Sequence, residues 1–141
     1  MVTTKTALPI LASSEFINAV QAAIQEAQGS DDECIDYCAQ NVPTYVQYQP
    51  TPQQSRAGGC RYCTYLGLWT DHWPGYERAP HGLIFLFEDG IRKEIEKKTA
   101  QGIYTTLQDE CLRVFLHEVD HALQRDHVLE GMRQQGINAR P

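Results

Sequence analysis

The sequence predicts an α+β fold in one domain spanning residues 1–141, with a small antiparallel sheet or hairpin packed on a central C-terminal helix and a further helix near the N-terminus. Apolar residues recur at helical spacing over residues 13–28 and again over residues 105–124. A continuous apolar run at residues 83–87 is typical of a buried strand. The hydrophobic content of 42% allows one core, and no linker or internal repeat divides the chain.

The first predicted helix covers residues 13–28. Ser13 or Ser14 is a natural N-cap, because a serine hydroxyl can accept a hydrogen bond from a backbone N–H of the first turn. Gly29 follows the last apolar position and is the residue type that commonly ends a helix. Residues 31–40 predict a second, shorter helix.

The middle of the chain predicts loops and strands. Residues 42–59 are rich in Pro, Gln and Ser, which indicates extended chain and loop, with a short edge strand at residues 45–48. Residues 81–87 predict a buried strand, and the Glu-Asp-Gly sequence at residues 88–90 is typical of a turn. Residues 91–97 are therefore expected to return as the second arm of a hairpin, with their charges on a solvated face.

The strongest predicted helix runs from residue 105 to at least residue 124. At about 100° per residue, its apolar residues fall on one side and its polar residues on the other. The apolar side contains Cys111, Leu112, Phe115, Leu116, Val119, Ala122 and Leu123. The polar side contains Glu110, Arg113, His117, His121 and Gln124. One face is therefore suited to the core and the opposite face to polar chemistry.

This helix contains the pattern H-E-x-x-H, from His117 to His121. Two histidines one turn apart lie about 40° apart around the helix, so both imidazoles can direct a nitrogen at one zinc ion. Glu118 is offset by about 100°, near such an ion but not a natural ligand. The pattern predicts a metal-binding helix in which Glu118 is the catalytic general base that takes a proton from water.

A third protein ligand is expected, because catalytic zinc sites normally have three. Cys60 is preferred, since it follows two glycines that let the backbone approach a site closely and since a thiolate binds zinc strongly. His127 is the alternative third ligand, because its position six residues after His121 gives the ligand spacing of the metzincin peptidases. An unbroken helix through residue 124 would direct His127 elsewhere. Further candidates are Cys63, Glu110 and Glu130.

The five cysteines are an odd number in a chain with no recognisable export signal, which argues against a disulfide framework. Cys60-x-x-Cys63 has a second interpretation as half of a Cys₄ structural zinc site, with Cys34 and Cys38 as the other half. Cys111 lies on the apolar face of its helix and is expected in the core.

The H-E-x-D-H sequence at residues 117–121 resembles that of the peptide deformylases, with the more general zincin peptidases as the rival resemblance. Residues 113–116, directly before it, are similar to the approach to that helix in the deformylases. Gly59-Cys60 matches the Gly-Cys of the deformylase cysteine motif, and the expected hairpin at residues 83–97 lies between cysteine and helix in the same order. The resemblance covers roughly residues 58–132.

The resemblance implies a zinc-dependent amide hydrolase that removes the formyl group from an N-terminal formyl-methionine. His117, His121 and Cys60 would hold the metal. This ligand set also accepts Fe²⁺ or Ni²⁺ in place of zinc. The backbone N–H of Arg61 is the expected donor to the developing oxyanion. The aromatic residues Tyr62, Tyr65 and Trp69 are candidates either for a methionine pocket or for the core.

Two alternatives remain at this point. The first is a zincin-type metallopeptidase that uses His117, His121 and His127. The second is a non-catalytic zinc-stabilised binding module, in which Cys60 and His127 both bind and close the coordination sphere.

The charge of the chain bears on its partners. A net charge of −6 repels phosphate backbones, so we expect a peptide or nascent-chain N-terminus as substrate and no nucleic-acid partner. The longest apolar runs are too short to span a bilayer, and the first residues make a weak signal-peptide core. We therefore expect a cytoplasmic protein with no membrane partner.

Overall fold

Within residues 4–6, 11–58 and 65–138, which are the part of the chain described by a computed structural model, six helices and a four-stranded mixed sheet form an α+β fold. The predicted fold class is confirmed. In chain order the elements are β1 (Thr4–Thr6), α1 (Ser14–Gln28), α2 (Glu33–Asn41), β2 (Thr44–Gln47), α3 (Pro52–Ala57), β3 (Gly67–Thr70), β4 (Leu83–Phe87), α4 (Glu88–Ala100), α5 (Leu107–Ala122) and α6 (Asp126–Gln134).

The sheet has the strand order β1-β2-β4-β3. Strand β2 runs parallel to both of its neighbours, and β3 is antiparallel to β4, with Trp69 opposite Ile84. The expected hairpin over residues 83–97 is therefore wrong, because the antiparallel partner of β4 precedes it in the chain. Strand β2 lies inside the sheet rather than at its edge, since β1 pairs with its outer side.

The predicted second hairpin arm is instead helix α4. Its first residues are acidic, which suits the positive end of the helix dipole, and Glu88 also accepts hydrogen bonds from the backbone N–H and hydroxyl of Ser13, both at 2.7 Å. Gly90 fits here because a Cβ at that position would run into the backbone carbonyl of Tyr65. The Glu-Asp-Gly sequence, which is typical of a turn, thus starts a helix because of tertiary contacts with Ser13 and Tyr65.

The other helices match the sequence to different degrees. Helix α1 begins at the predicted cap, where the Ser13 hydroxyl accepts from the N–H of Phe16, and it ends at Gly29. Helix α2 is confirmed, whereas α3 and α6 were not predicted. Helix α5 ends at Ala122, earlier than expected, and a turn at residues 123–125 leads into α6.

The core lies on both faces of the sheet. On one face, Ile84 and Leu86 of β4 point toward helices α1, α2, α5 and α6. On the other face, Leu83, Phe85 and Phe87 pack beneath aromatic residues of the β3–β4 connection. Among the described helices, none combines the length and apolar composition that crossing a bilayer requires.

Candidate metal centre

Helix α5 holds the H-E-x-x-H residues in a fixed orientation. Its N-terminus is capped by Thr106, whose hydroxyl accepts from the N–H of Asp109 at 3.1 Å. The helix packs against α1 and also against β3. His117 and His121 are half-buried, so the side of α5 that carries them is partly covered rather than open to solvent.

The two histidines converge. Their Nε2 atoms lie 3.3 Å apart, and their rings meet edge to face at 81°. Two nitrogens bound to one tetrahedral zinc at bond lengths of about 2.0–2.1 Å must lie about 3.3–3.4 Å apart. The separation therefore matches one edge of a zinc coordination tetrahedron. Burial, and then the neighbouring His121, lower the pKa of His117, which favours the neutral imidazole that binds metals.

Glu118 is fully buried although it carries a carboxyl group. Together with His121 and Trp69, it lines a pocket of about 330 Å³ between α5, β3 and the end of α3. Such a volume accommodates a small acyl group and a few waters. Glu118, the base that the sequence pattern predicts, and one of the two converging histidines therefore line the same small space.

The preferred third ligand lies outside the described residues. Cys60, Arg61 and Cys63 all fall in the stretch between Gly58 and Tyr65, as does Tyr62. Ala57, three residues before Cys60, lines the pocket beside Glu118 and His121. Within residues 11–58 and 65–138, no three His, Cys, Asp or Glu side chains come together in a group that could hold a metal ion.

His127 belongs to a different cluster. The expected unbroken helix through residue 124 is absent, because α5 ends at Ala122. The direction of His127 is set instead by the turn that precedes α6. The Nε2 atom of His127 lies 2.9 Å from Asp71 Oδ1, and its ring stacks on that of His81 at an interplanar angle of 10°. The alternative zinc ligand is thus engaged with residues of the β3–β4 connection.

The remaining sequence candidates have other partners. Glu110 is buried and accepts from Lys98 Nζ at 2.7 Å, whereas Glu130 is exposed and pairs with an arginine of its own helix. Cys34 and Cys38 are buried in the core on α2, and so is Cys111 on α5, as predicted for that residue. Burial raises the pKa of the Cys111 thiol to about 12, so this thiol is un-ionised at neutral pH.

Sequence reasoning missed the cluster around His81. The hydroxyl of Tyr37 lies 2.6 Å from His81 Nε2, and the indole N–H of Trp69 donates to the His81 carbonyl at 3.0 Å. Gly131 on α6 packs so closely on this pair that a Cβ there would lie 2.5 Å from the Tyr37 hydroxyl. These residues come from four separate parts of the chain, so no sequence spacing relates them.

Of the expected aromatic pocket residues, Trp69 lines the pocket with Glu118, whereas Tyr65 is largely exposed. No protein-family model matches the chain, and neither does any curated protein or solved structure. The chemistry of this site therefore has to be inferred from its own residues.

Proposed function

We propose that this protein is a zinc-dependent amide hydrolase, deformylase-like in its chemistry, with His117 and His121 as metal ligands and Glu118 as the general base. The observation that carries the proposal is the 3.3 Å separation of the two Nε2 atoms beside a pocket that Glu118 lines. Two neutral imidazoles could also share one proton at that distance, and the zinc-uptake measurement below distinguishes that arrangement from a metal site.

Cys60 is the third ligand in this proposal. Three extended residues span at most about 10–11 Å, and Cys60 follows Ala57 of the pocket wall by three residues. In this proposal its thiolate would complete the ligand set of the two imidazoles. A His₂Cys set suits Zn²⁺ and also accepts Fe²⁺ or Ni²⁺.

When bound, zinc would polarise the substrate carbonyl and lower the pKa of its bound water to about 7. Glu118 would accept a proton from the attacking water and return it to the leaving amine. Its carboxyl group is buried in the pocket wall, where its electrostatic interactions are screened less by solvent than at the surface. The backbone N–H of Arg61 would donate to the developing oxyanion. The expected substrate is a formylated peptide or nascent-chain N-terminus in the cytoplasm, without nucleic-acid or membrane partners.

The first experiment measures metal and activity in parallel. Protein stripped of metal and reloaded should bind about one zinc per chain, and it should release formate from formyl-methionyl peptides while leaving internal peptide bonds intact. Glu118→Gln should keep its zinc and lose activity by about 10²–10⁴-fold, because the carboxylate transfers protons and need not coordinate. Glu130→Gln, a carboxylate change on the exposed face of α6, is the matched control and should keep both. Failure to take up zinc would overturn the proposal.

The second experiment identifies the third ligand. Cys60→Ser should weaken zinc binding strongly, since a neutral hydroxyl replaces a thiolate, whereas His127→Ala should have little effect because His127 contacts Asp71 instead. Strong loss of zinc binding in His127→Ala but not in Cys60→Ser, together with cleavage of protein substrates and no formate release, would favour the metallopeptidase alternative. Loss of zinc in both variants without activity in the wild type would favour a closed, non-catalytic zinc module.

A further inference from the structure

Arg125 belongs to the lining of the same pocket. It is the N-cap residue of α6 and follows the turn that ends α5, with an extended backbone conformation at φ −101° and ψ 133°. Its side chain lines the pocket together with Glu118 and His121 and remains about half exposed. A permanent positive charge therefore stands a short distance from the proposed reaction centre.

The guanidinium of Arg125 is held from two sides. Its Nη2 donates to Asp71 Oδ2 at 2.8 Å, and its central carbon lies 5.4 Å from the centre of the Trp69 ring. The second oxygen of Asp71 contacts His127 Nε2 at 2.9 Å. Because Asp71 offers one oxygen to each neighbour, its contact with Arg125 is single rather than bidentate. Among the described residues, the other guanidinium N–H groups of Arg125 have no hydrogen-bond acceptor.

An arginine fixed in this way is preorganised for a planar anion. The guanidinium fork matches a carboxylate in two parallel hydrogen bonds, and its fixed orientation reduces the entropy lost on binding. The neighbouring carboxyl groups of Glu118 and Asp71 limit how much negative charge the pocket can accept. A singly charged carboxylate therefore fits this pocket better than a dianionic phosphate.

We infer that the pocket binds peptide-like ligands that carry a carboxylate, with Arg125 as the residue that selects for it. The assignment of the hydrolysed amide rests on the proposed function, whereas the carboxylate contact does not. The carboxylate could be the free C-terminus of a short peptide or an acidic side chain, which present the same chemical group to Arg125.

The test compares acid and amide forms of one ligand on metal-free protein, so that no hydrolysis occurs. Dissociation constants are measured by NMR titration for acetyl-Met-Ala, its C-terminal amide, and acetyl-Met-Asp amide, which carries its carboxylate on a side chain. The wild type should bind at least one carboxylate form roughly 10- to 100-fold more tightly than acetyl-Met-Ala amide, as expected for a charged hydrogen-bonded pair. Whichever of acetyl-Met-Ala and acetyl-Met-Asp amide binds more tightly identifies whether the carboxylate comes from a C-terminus or from a side chain.

Arg125→Gln should reduce that preference to near unity, and Arg125→Lys, which keeps the charge without the fork, should retain only part of it. Arg133→Gln is the matched control, since Arg133 is an exposed residue of α6 paired with Glu130. Equal binding of acid and amide forms by the wild type, or an unchanged preference in Arg125→Gln, would overturn the inference. So would no binding of either carboxylate form.

A parallel assay separates this inference from the proposed function. Zinc-loaded wild type is given formyl-Met-Ala and its amide, and formate is measured. Hydrolysis with equal efficiency for both, together with equal binding, would refute the role of Arg125 and leave the hydrolase proposal intact. Absence of hydrolysis with the binding preference present would refute the hydrolase proposal and support the carboxylate site.

Discussion

Replacing Gln54 with leucine should destabilise the protein and also weaken the proposed zinc binding. Gln54 is buried on α3 and forms a reciprocal amide pair with Gln47 of β2, in which each side-chain N–H donates to the other carbonyl at 2.9 Å. Its carbonyl also accepts from the N–H of Thr51 at 2.9 Å. The pair fastens α3 to the sheet, and α3 ends at Ala57, in the wall of the pocket that Glu118 and His121 line.

The magnitude follows from these contacts. Leucine removes three neutral hydrogen bonds, worth about 1 kcal/mol each, and leaves the buried carbonyl of Gln47 without its donor, at a further cost of about 1–3 kcal/mol. Burial of the leucine side chain returns about 1.5–2 kcal/mol. We therefore expect the free energy of unfolding to fall by about 2–4.5 kcal/mol, a large share of the 5–15 kcal/mol that is typical of domains.

Urea unfolding of the metal-free protein measures this change without reference to zinc. Gln53→Leu is the matched control, because Gln53 is the preceding residue of the same helix but is exposed. A Gln54→Leu variant within about 0.5 kcal/mol of this control would contradict the argument, since it would mean that the amide pair contributes no net stability. At urea concentrations where both variants are folded, Gln54→Leu should also bind zinc more weakly than Gln53→Leu.

Three further predictions concern other parts of the fold. Gly131→Ala should lower the unfolding free energy by about 1–3 kcal/mol, because the added methyl group would lie 2.6 Å from His81 Nε2. This cost exceeds the gain from the better helix propensity of alanine. Thermal or urea unfolding measures the change, and a stabilised variant would contradict the prediction. Burial opposes ionisation of Glu110, but the hydrogen bond from Lys98 and the positive charge of Lys98 hold the Glu110 pKa below 4.5. The Lys98–Glu110 pair therefore stabilises the fold above that pH, and this stabilisation disappears as the pH falls through the lowered pKa. Unfolding free energy should therefore decline less steeply below pH 4.5 in Glu110→Gln than in the wild type, and identical slopes would refute the assignment. Cys111 should resist alkylation at pH 8 in folded protein, as read by peptide mass spectrometry, and rapid labelling would contradict its burial.

Local sequence signals predicted the helices that carry them. Ser13 caps α1 because its hydroxyl and the first-turn N–H belong to neighbouring residues, and the H-E-x-x-H spacing fixes His117 and His121 on one side of α5 for the same reason. Each of these relations is set within one or two helical turns. The sequence alone is therefore sufficient to predict them.

The errors arise where distant residues decide the local structure. The close approach of Gly90 to Tyr65 and the hydrogen bonds between Glu88 and Ser13 favour a helix where a turn and strand were expected. The cluster of Arg125 and Asp71 joins the end of one helix to the end of a strand, so its formation depends on how those elements pack. Such contacts have no signature in spacing or periodicity.

The packing of α5 on α1 has a consequence for the order of folding. Residues 29–106 separate these two helices, and α3 and β3 lie between β2 and β4 in the chain. The contacts that support the histidine pair therefore close large loops. Loop closure of this kind slows folding, because entropy is lost before the contacts are gained. During synthesis, the histidine-bearing helix leaves the ribosome only after its packing partners. The proposed zinc uptake would therefore be a late step in maturation, after the rest of the core has assembled.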